Sequence, residues 1–135
     1  IGLVAALATI RKHREHQVHE HLIDIGKQVK QSWKKAASIA KLDIVVSGID
    51  PLGNFSFQYE DSRQMRTYFA QRMLDHGIMA KNAFYASFAH TDAHVERYAS
   101  IVEKVFLEIA SCHENNNWSS VLKGDLVHEG FQRLA

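Results

Sequence analysis

The stretch Leu42-Asp-Ile-Val-Val-Ser-Gly-Ile-Asp-Pro-Leu-Gly-Asn-Phe-Ser-Phe-Gln-Tyr59 decides whether this chain is all helix or mixed. Asp43 to Ser47 is short and β-branched, and Phe55, Phe57 and Tyr59 alternate with Asn54, Ser56 and Gln58, a period of two that sends the aromatic rings to one side of a strand. Between the two runs, Asp50-Pro51-Leu52-Gly53 has proline second and glycine fourth, the pattern of a type I turn. A hairpin-like antiparallel pair is predicted here.

The texture is helical on both sides of the pair. Upstream, Leu3, Leu7 and Ile10, then Val18, Leu22, Ile25, Val29, Trp33, Ala36 and Ala40 recur at helical spacing, which predicts two amphipathic helices or one with a kink. Downstream, Asp61 or Ser62 caps a helix marked by Met65, Phe69, Arg72 and Met73, and Gly77 supplies the left-handed residue that ends it. Ile78-Met-Ala80 reads as a third short strand, and Asn82 to Ala89 as an aromatic, non-periodic loop. Thr91 with Asp92 behind it caps a helix through about Cys112 that buries Tyr98, Val102, Val105 or Phe106, and Ile109. Asn115 to Asn117 breaks the pattern, Trp118 to Leu122 reads as one or two more turns, and residues 113 to 135 read as a tail. The order implies an α+β fold, a small antiparallel sheet of about three strands covered on one face by helices.

The 135 residues are enough for one domain, with 46% hydrophobic and 23% charged side chains, as in folded globular chains. No apolar run approaches the ~20 residues of a membrane helix. A formal charge of +1 provides no field to gather nucleic acid, and Lys27, Lys30 and Lys34 read as a solvated helix face. Neither a nucleic acid nor a membrane is expected as partner. The single cysteine, Cys112, is spaced from Ile109 for packing and suits a reducing, cytoplasmic setting. Ile1 to Ile10 is an apolar helix start without methionine, and reads as the interior of a longer chain whose earlier part would cover it.

Chemistry is sparse. Four of nine histidines fall in His13-Arg-Glu-His-Gln-Val-His-Glu-His21. On a helix His13 and His16 are neighbours and are the metal-ligand candidates, whereas His13 and His19 end roughly 120° apart and His19 and His21 face nearly opposite ways. The stretch therefore reads as a wet bend between helices, short of the four converging ligands of a structural zinc site. His90 and His94 form another pair four residues apart, read as buttressing or exposed and not as ligands. The sequence contains no nucleophile elbow, no phosphate-binding glycine loop and no cysteine with a local partner signature, so no catalytic residue is assigned.

Gly77-Ile-Met-Ala80, then Asn82-Ala-Phe-Tyr-Ala-Ser-Phe-Ala-His-Thr91 and an amphipathic helix, resembles the C-terminal small domain of class III aminotransferases, the glutamate-1-semialdehyde aminomutase-like group in particular. Ala5-Ala-Leu-Ala-Thr9, Ile25-Gly26 and Val46-Ser-Gly-Ile49 occur in the family's order, and Val127-His-Glu-Gly-Phe-Gln-Arg-Leu134 looks like some of its endings. The resemblance implies a parent enzyme of fold type I that uses pyridoxal phosphate (PLP) to transfer an amino group from a donor to a carbonyl acceptor, usually as a homodimer. It places the cofactor-bearing lysine in a large domain and gives the small domain the task of closing over the site.

On that resemblance, the chain is a single C-terminal small domain, residues 1 to 135, inactive alone and binding no cofactor itself. Its substrate-pocket candidates are Asn82 and Tyr85, within the aromatic segment. True aminomutases carry a glutamate just before the Ala-His-Thr motif, and Ala83 to Ser87 contains no acid, which points to ordinary amino transfer. The rival expectation is a free-standing α+β binding module that uses its histidines for a metal or partner.

Overall fold

A computed structural model describes residues 1–128. The elements are α1 (Gly2–Glu15), α2 (Val18–Ala40), β1 (Ile44–Ile49), β2 (Leu52–Phe57), α3 (Ser62–Asp75), β3 (Ala83–Tyr85), α4 (Asp92–Asn115) and α5 (Trp118–Val121). The three strands form one antiparallel sheet in the order β1-β2-β3, and the long helices α2 and α4 pack against each other and carry most of the core. The fold is α+β, as the pattern of elements predicts.

The core forms where the aromatic side of β2 meets the helices. Phe55 and Phe57 are buried, and Phe55 lies 5.0 Å from Trp33 of α2, 5.3 Å from Phe69 of α3 and 5.5 Å from Phe106 of α4, centroid to centroid. These are tilted or edge-on contacts, the arrangements that aromatic quadrupoles favour. Trp33 has no solvent exposure, and its Nε1 donates to the Tyr98 hydroxyl at 2.8 Å, so its one polar atom is satisfied inside.

The hairpin turns one residue earlier than predicted. Ile49 pairs with Leu52, leaving only Asp50 and Pro51 between the strands, and Gly53 joins β2 opposite Gly48. Packing under the strand explains the shift. A Cβ on Gly53 would lie 3.1 Å from the Lys30 stem and 3.3 Å from the Trp33 ring, so this glycine lets β2 lie flat on α2. Gly48 takes the left-handed backbone, φ +80°, that the tight connection requires. Lys30 is not merely solvated: its Nζ donates to the Gly48 carbonyl at 2.9 Å and to Asp50 Oδ1 at 3.1 Å, tying α2 to the turn.

The third strand is also displaced. Ile78-Met-Ala80 forms no strand, and Met79 is almost wholly exposed; β3 is Ala83–Tyr85, inside the segment expected to be irregular. Hydrogen bonds settle the choice. Asn82 accepts the Phe55 N–H through its carbonyl and donates from Nδ2 to the Phe55 carbonyl, both at 2.9 Å, which aligns Phe84 with Gly53 and Tyr85 with Leu52. The short apolar run at 78 to 80 pairs with no strand of the sheet.

The helix ends follow their caps. Thr91 caps α4: its hydroxyl accepts the His94 N–H, while His94 Nδ1 accepts the Thr91 N–H at 3.2 Å, a reciprocal pair with histidine in the place usually held by glutamate. Asp61 precedes α3 but makes no side-chain cap; its Oδ2 accepts Trp118 Nε1 at 2.6 Å and lies 2.8 Å from His113 Nδ1, joining α3, α4 and α5. Residues 122 to 127 run back along α3, where Arg63 Nε donates to the Val127 carbonyl at 2.7 Å and Gln71 accepts the Lys123 N–H at 2.8 Å. The rest of the ending, from residue 129, lies outside the described residues. Among those described, no helix is long and apolar enough to cross a membrane.

One ion-pair network crosses from α3 to α4. Arg72 donates through Nε to Glu108 Oε2 at 2.7 Å and through Nη2 to Oε1 at 3.1 Å, and it also reaches Asp75 at 2.9 Å. This fork holds the Glu108 carboxyl below the ordinary glutamate range, while burial, with the Glu108 charge, pushes the Tyr68 hydroxyl up to about 12. A depressed folded-state carboxyl contributes stability above its unfolded pKa of about 4.3 that is lost as pH falls through the folded value. Glu108→Gln is therefore expected to destabilise by about 1 kcal/mol or less at neutral pH, and the gap to the parent should be smaller at a pH below the unfolded glutamate value of about 4.3. Urea midpoints at both pH values measure it; a constant gap would refute the linkage. Asp75, on the same Arg72, is held low by Lys123 first and then by Arg72.

Candidate functional site

A half-open cleft of about 660 Å³ lies where the loop after α3, strand β3 and the first turns of α4 meet over α2. Each wall has a local cause. Gly77, with φ +76°, turns the chain out of α3 and lets residues 78 to 81 form one lip. Strand β3 contributes Phe84 and Tyr85, and α4 contributes Val95 and Tyr98 below and Arg97 at the rim. Val29 of α2 closes the floor. Tyr98 accepts from Trp33, and burial pushes its hydroxyl well above the ordinary tyrosine range, so it stays protonated.

Four side chains around the cleft, Lys81, His90, His94 and Arg97, can donate. His90 Nδ1 accepts the Ser87 N–H at 2.9 Å, and His94 Nδ1 accepts the Thr91 N–H at 3.2 Å. In a neutral imidazole the proton must then sit on Nε2, so each backbone amide selects the tautomer that leaves an Nε2–H free to donate. His90 is held below the ordinary histidine range by burial first, then by His94 and His21. Lys81 and Arg97 complete the rim; Arg97 makes one long hydrogen bond, 3.4 Å, to the His76 carbonyl.

Beside the cleft lies the histidine elbow. The bend between α1 and α2 falls at His16 and Gln17, with Gln17 in left-handed backbone at φ 46°, so the helices do not continue one another. The break changes the partners expected on a single helix. His13 and His19 stack with centroids 6.1 Å apart, while His16 and His21 flank Phe88 at 6.0 and 5.2 Å. His21 Nε2 donates to the His90 carbonyl at 2.9 Å, linking elbow to cleft. The expected neighbours His13 and His16 thus turn to different partners, and among the described residues no three metal-capable side chains converge.

Of the substrate-pocket candidates, Tyr85 lines the cleft and is largely exposed, whereas Asn82 turns to the Phe55 carbonyl and positions the strand. Lys81, Arg97 and Tyr98 were not singled out as site residues by the sequence reading. The signal available was spacing: His90, His94 and Arg97 recur at four and three residues, one helical face continued past the cap.

No family profile matches the sequence. Among solved structures, the FumI protein of Sphingopyxis sp. MTA144, in its PLP internal aldimine form, superposes with a TM-score of 0.71 at 20% identity over 82% of this chain. A transaminase with PLP bound gives 0.60, also at 20% identity, over 70% of this chain. The fold is PLP-transaminase-like. This chain spans about a quarter of those proteins, 24% of the transaminase and 27% of FumI.

The side chains in hand do not form a PLP site of their own. The only lysine among the described residues that is not exposed is Lys30, and Asp50 occupies it at 3.1 Å. No enclosed amine is therefore placed to carry the cofactor.

Proposed function

We propose that this chain is the C-terminal small domain of a PLP-dependent aminotransferase of the class III, glutamate-1-semialdehyde aminomutase-like group, and that it closes over an active site held by a larger domain of the same polypeptide. The likeness to FumI carries the reading: most of this chain superposes on about a quarter of a PLP protein. The sequence motifs from Gly77 to Thr91 run through β3 and the α4 cap, the walls of the cleft.

Two surfaces suit a covering role. The outer face of the sheet presents Ile49, Leu52 and Tyr85 in one row across the three strands, each substantially exposed, and α1 exposes Leu3, Val4, Leu7 and Ile10 with no buried residue. Burying such rows against a large domain would remove apolar area from water and, at the site, exclude solvent. Tyr85 offers a hydroxyl to a bound substrate, and Asn82 holds the strand that carries it. Ordinary amino transfer is favoured over the mutase reaction because β3 and its flanks carry no acid. We place the parent enzyme in the cytoplasm as a homodimer.

The test starts from the coding sequence upstream of Ile1. The expected result is a domain of a few hundred residues with a cofactor lysine, and a whole enzyme that takes up PLP and transfers amino groups. Tyr85→Phe in that enzyme should lower kcat/KM while leaving the unfolding free energy within about 0.5 kcal/mol of the parent, since the ring is exposed. An upstream sequence without such a domain would end the proposal.

A further inference from the structure

From the backbone of the hairpin we infer that the open edge of β1 pairs with β1 of a second copy of this chain, antiparallel and centred on Val45, so that two sheets join into one. β1 is the outer strand of the sheet, and among the described residues no strand pairs with its free side. The direction of each main-chain group follows from its neighbours. Phe55, opposite Val46, spends both its N–H and its carbonyl on Asn82, on the β3 side. In an antiparallel ladder a residue that bonds away from the one opposite leaves that one facing away as well. Val46, and by alternation Ile44, therefore turn N–H and C=O to the open edge. Asp43 obeys the same alternation in the other sense, its carbonyl accepting the Gln58 N–H at 3.1 Å.

This edge lacks the features that keep such strands single. Ile44-Val-Val-Ser-Gly-Ile49 has no charge and no proline, and most of its side chains are β-branched. A second copy is the occupant it fits. With Val45 opposite Val45 of the second copy, Ile44 faces Val46 and Val46 faces Ile44, so the outward-facing residues exchange both main-chain bonds across a two-fold axis. The two Val45 side chains, 49% exposed in the single chain, then meet as a non-hydrogen-bonded pair, where side chains come closest. Asp43 faces Ser47 and Lys41 faces Ile49, so no like charges oppose. A register centred on Val46 would call on Gly48 instead. That residue leaves the extended conformation, φ +80°, and its carbonyl is already held by Lys30 at 2.9 Å. A head-to-tail contact with β3, the opposite edge, would find a strand of three residues against the six of β1.

The inference needs only this chain and stands apart from the aminotransferase reading. The full 135-residue chain is followed by analytical ultracentrifugation and amide exchange from about 10 μM to 1 mM, the range in which contacts smaller than a standard interface assemble. The expected result is a reversible monomer–dimer equilibrium with no larger species, and at least about tenfold slower exchange of the Ile44 and Val46 amides in the dimer. Val45→Lys sets two ammonium groups opposite each other from an exposed position, which leaves the monomer folded, and should weaken the dimer at least about tenfold. Leu7→Glu and Leu74→Glu, at exposed apolar positions of α1 and α3, should leave it unchanged. A monomer throughout, open-ended assembly, Ile44 and Val46 amides indifferent to concentration, full association of Val45→Lys, or loss of association in Leu7→Glu or Leu74→Glu would each overturn the inference.

Discussion

Gly26→Ala is expected to destabilise the protein by about 3 kcal/mol or more, although in an exposed helix the same change stabilises by up to about 1 kcal/mol. The reversal comes from a backbone contact. Gly26 is buried on α2 where the hairpin turn crosses it, and a Cβ there would lie 1.8 Å from the Asp50 carbonyl oxygen, 2.4 Å from its carbon and 3.1 Å from the Pro51 nitrogen. No side chain can rotate away to make room, because all three atoms are main chain. The turn must lift, and lifting it strains the Lys30 bonds to Gly48 and Asp50 that hold the same crossing. Urea unfolding monitored by tryptophan fluorescence measures the loss. An unchanged or raised midpoint would mean that α2 and the turn do not touch in solution.

Phe55→Ala should destabilise by about 3–5 kcal/mol, the range for truncating a fully enclosed aromatic ring. Phe55 has no exposure and its ring meets Trp33, Phe57, Phe69 and Phe106, so the vacated space is bounded by rings that cannot all collapse into it. Its backbone groups both bond to Asn82, so loosening β2 at this point also loosens β3 and one wall of the cleft. Against a total stability of about 5–15 kcal/mol, the variant should keep helical far-ultraviolet signal better than fixed aromatic packing, seen as early loss of near-ultraviolet dichroism. A variant within about 1 kcal/mol of the parent would contradict the position of Phe55 at the centre of the core.

The elements that sequence made legible are those whose signal is local and repeated. Helices α2 and α4 announce themselves by many apolar positions at one spacing, and Thr91 by its own capping chemistry. Strand β3 lies elsewhere than expected because its identity rests on Asn82 meeting Phe55, residues 27 apart, and a three-residue apolar run cannot express that. The turn was misplaced by one residue for a similar reason: Gly53 looked like the end of a turn, while its role is to lie on Trp33. The histidine cluster was legible as a bend, but its pairing was not. A left-handed Gln17 rotates α1 so that His13 meets His19, which no single helix allows. Of the cleft, His90 and His94 were visible as a pair, and Tyr85 by its place in the resemblance. Lys81 belongs to a loop and Arg97 to an exposed helix turn, where position relative to the cleft exists only after folding.

The packing of α2 against α4 has a consequence for how the chain is made. Trp33 and Phe106, which share the core around Phe55, are separated by about seventy residues of sequence, roughly four to fourteen seconds of synthesis at typical rates. During that interval the apolar side of α2 and the inner face of the β1–β2 hairpin have been made, but the helix that covers them has not. The hairpin, α2 and α3 can associate early because they are near in sequence, yet they cannot complete the core, so the nascent chain holds its apolar surface open until α4 emerges.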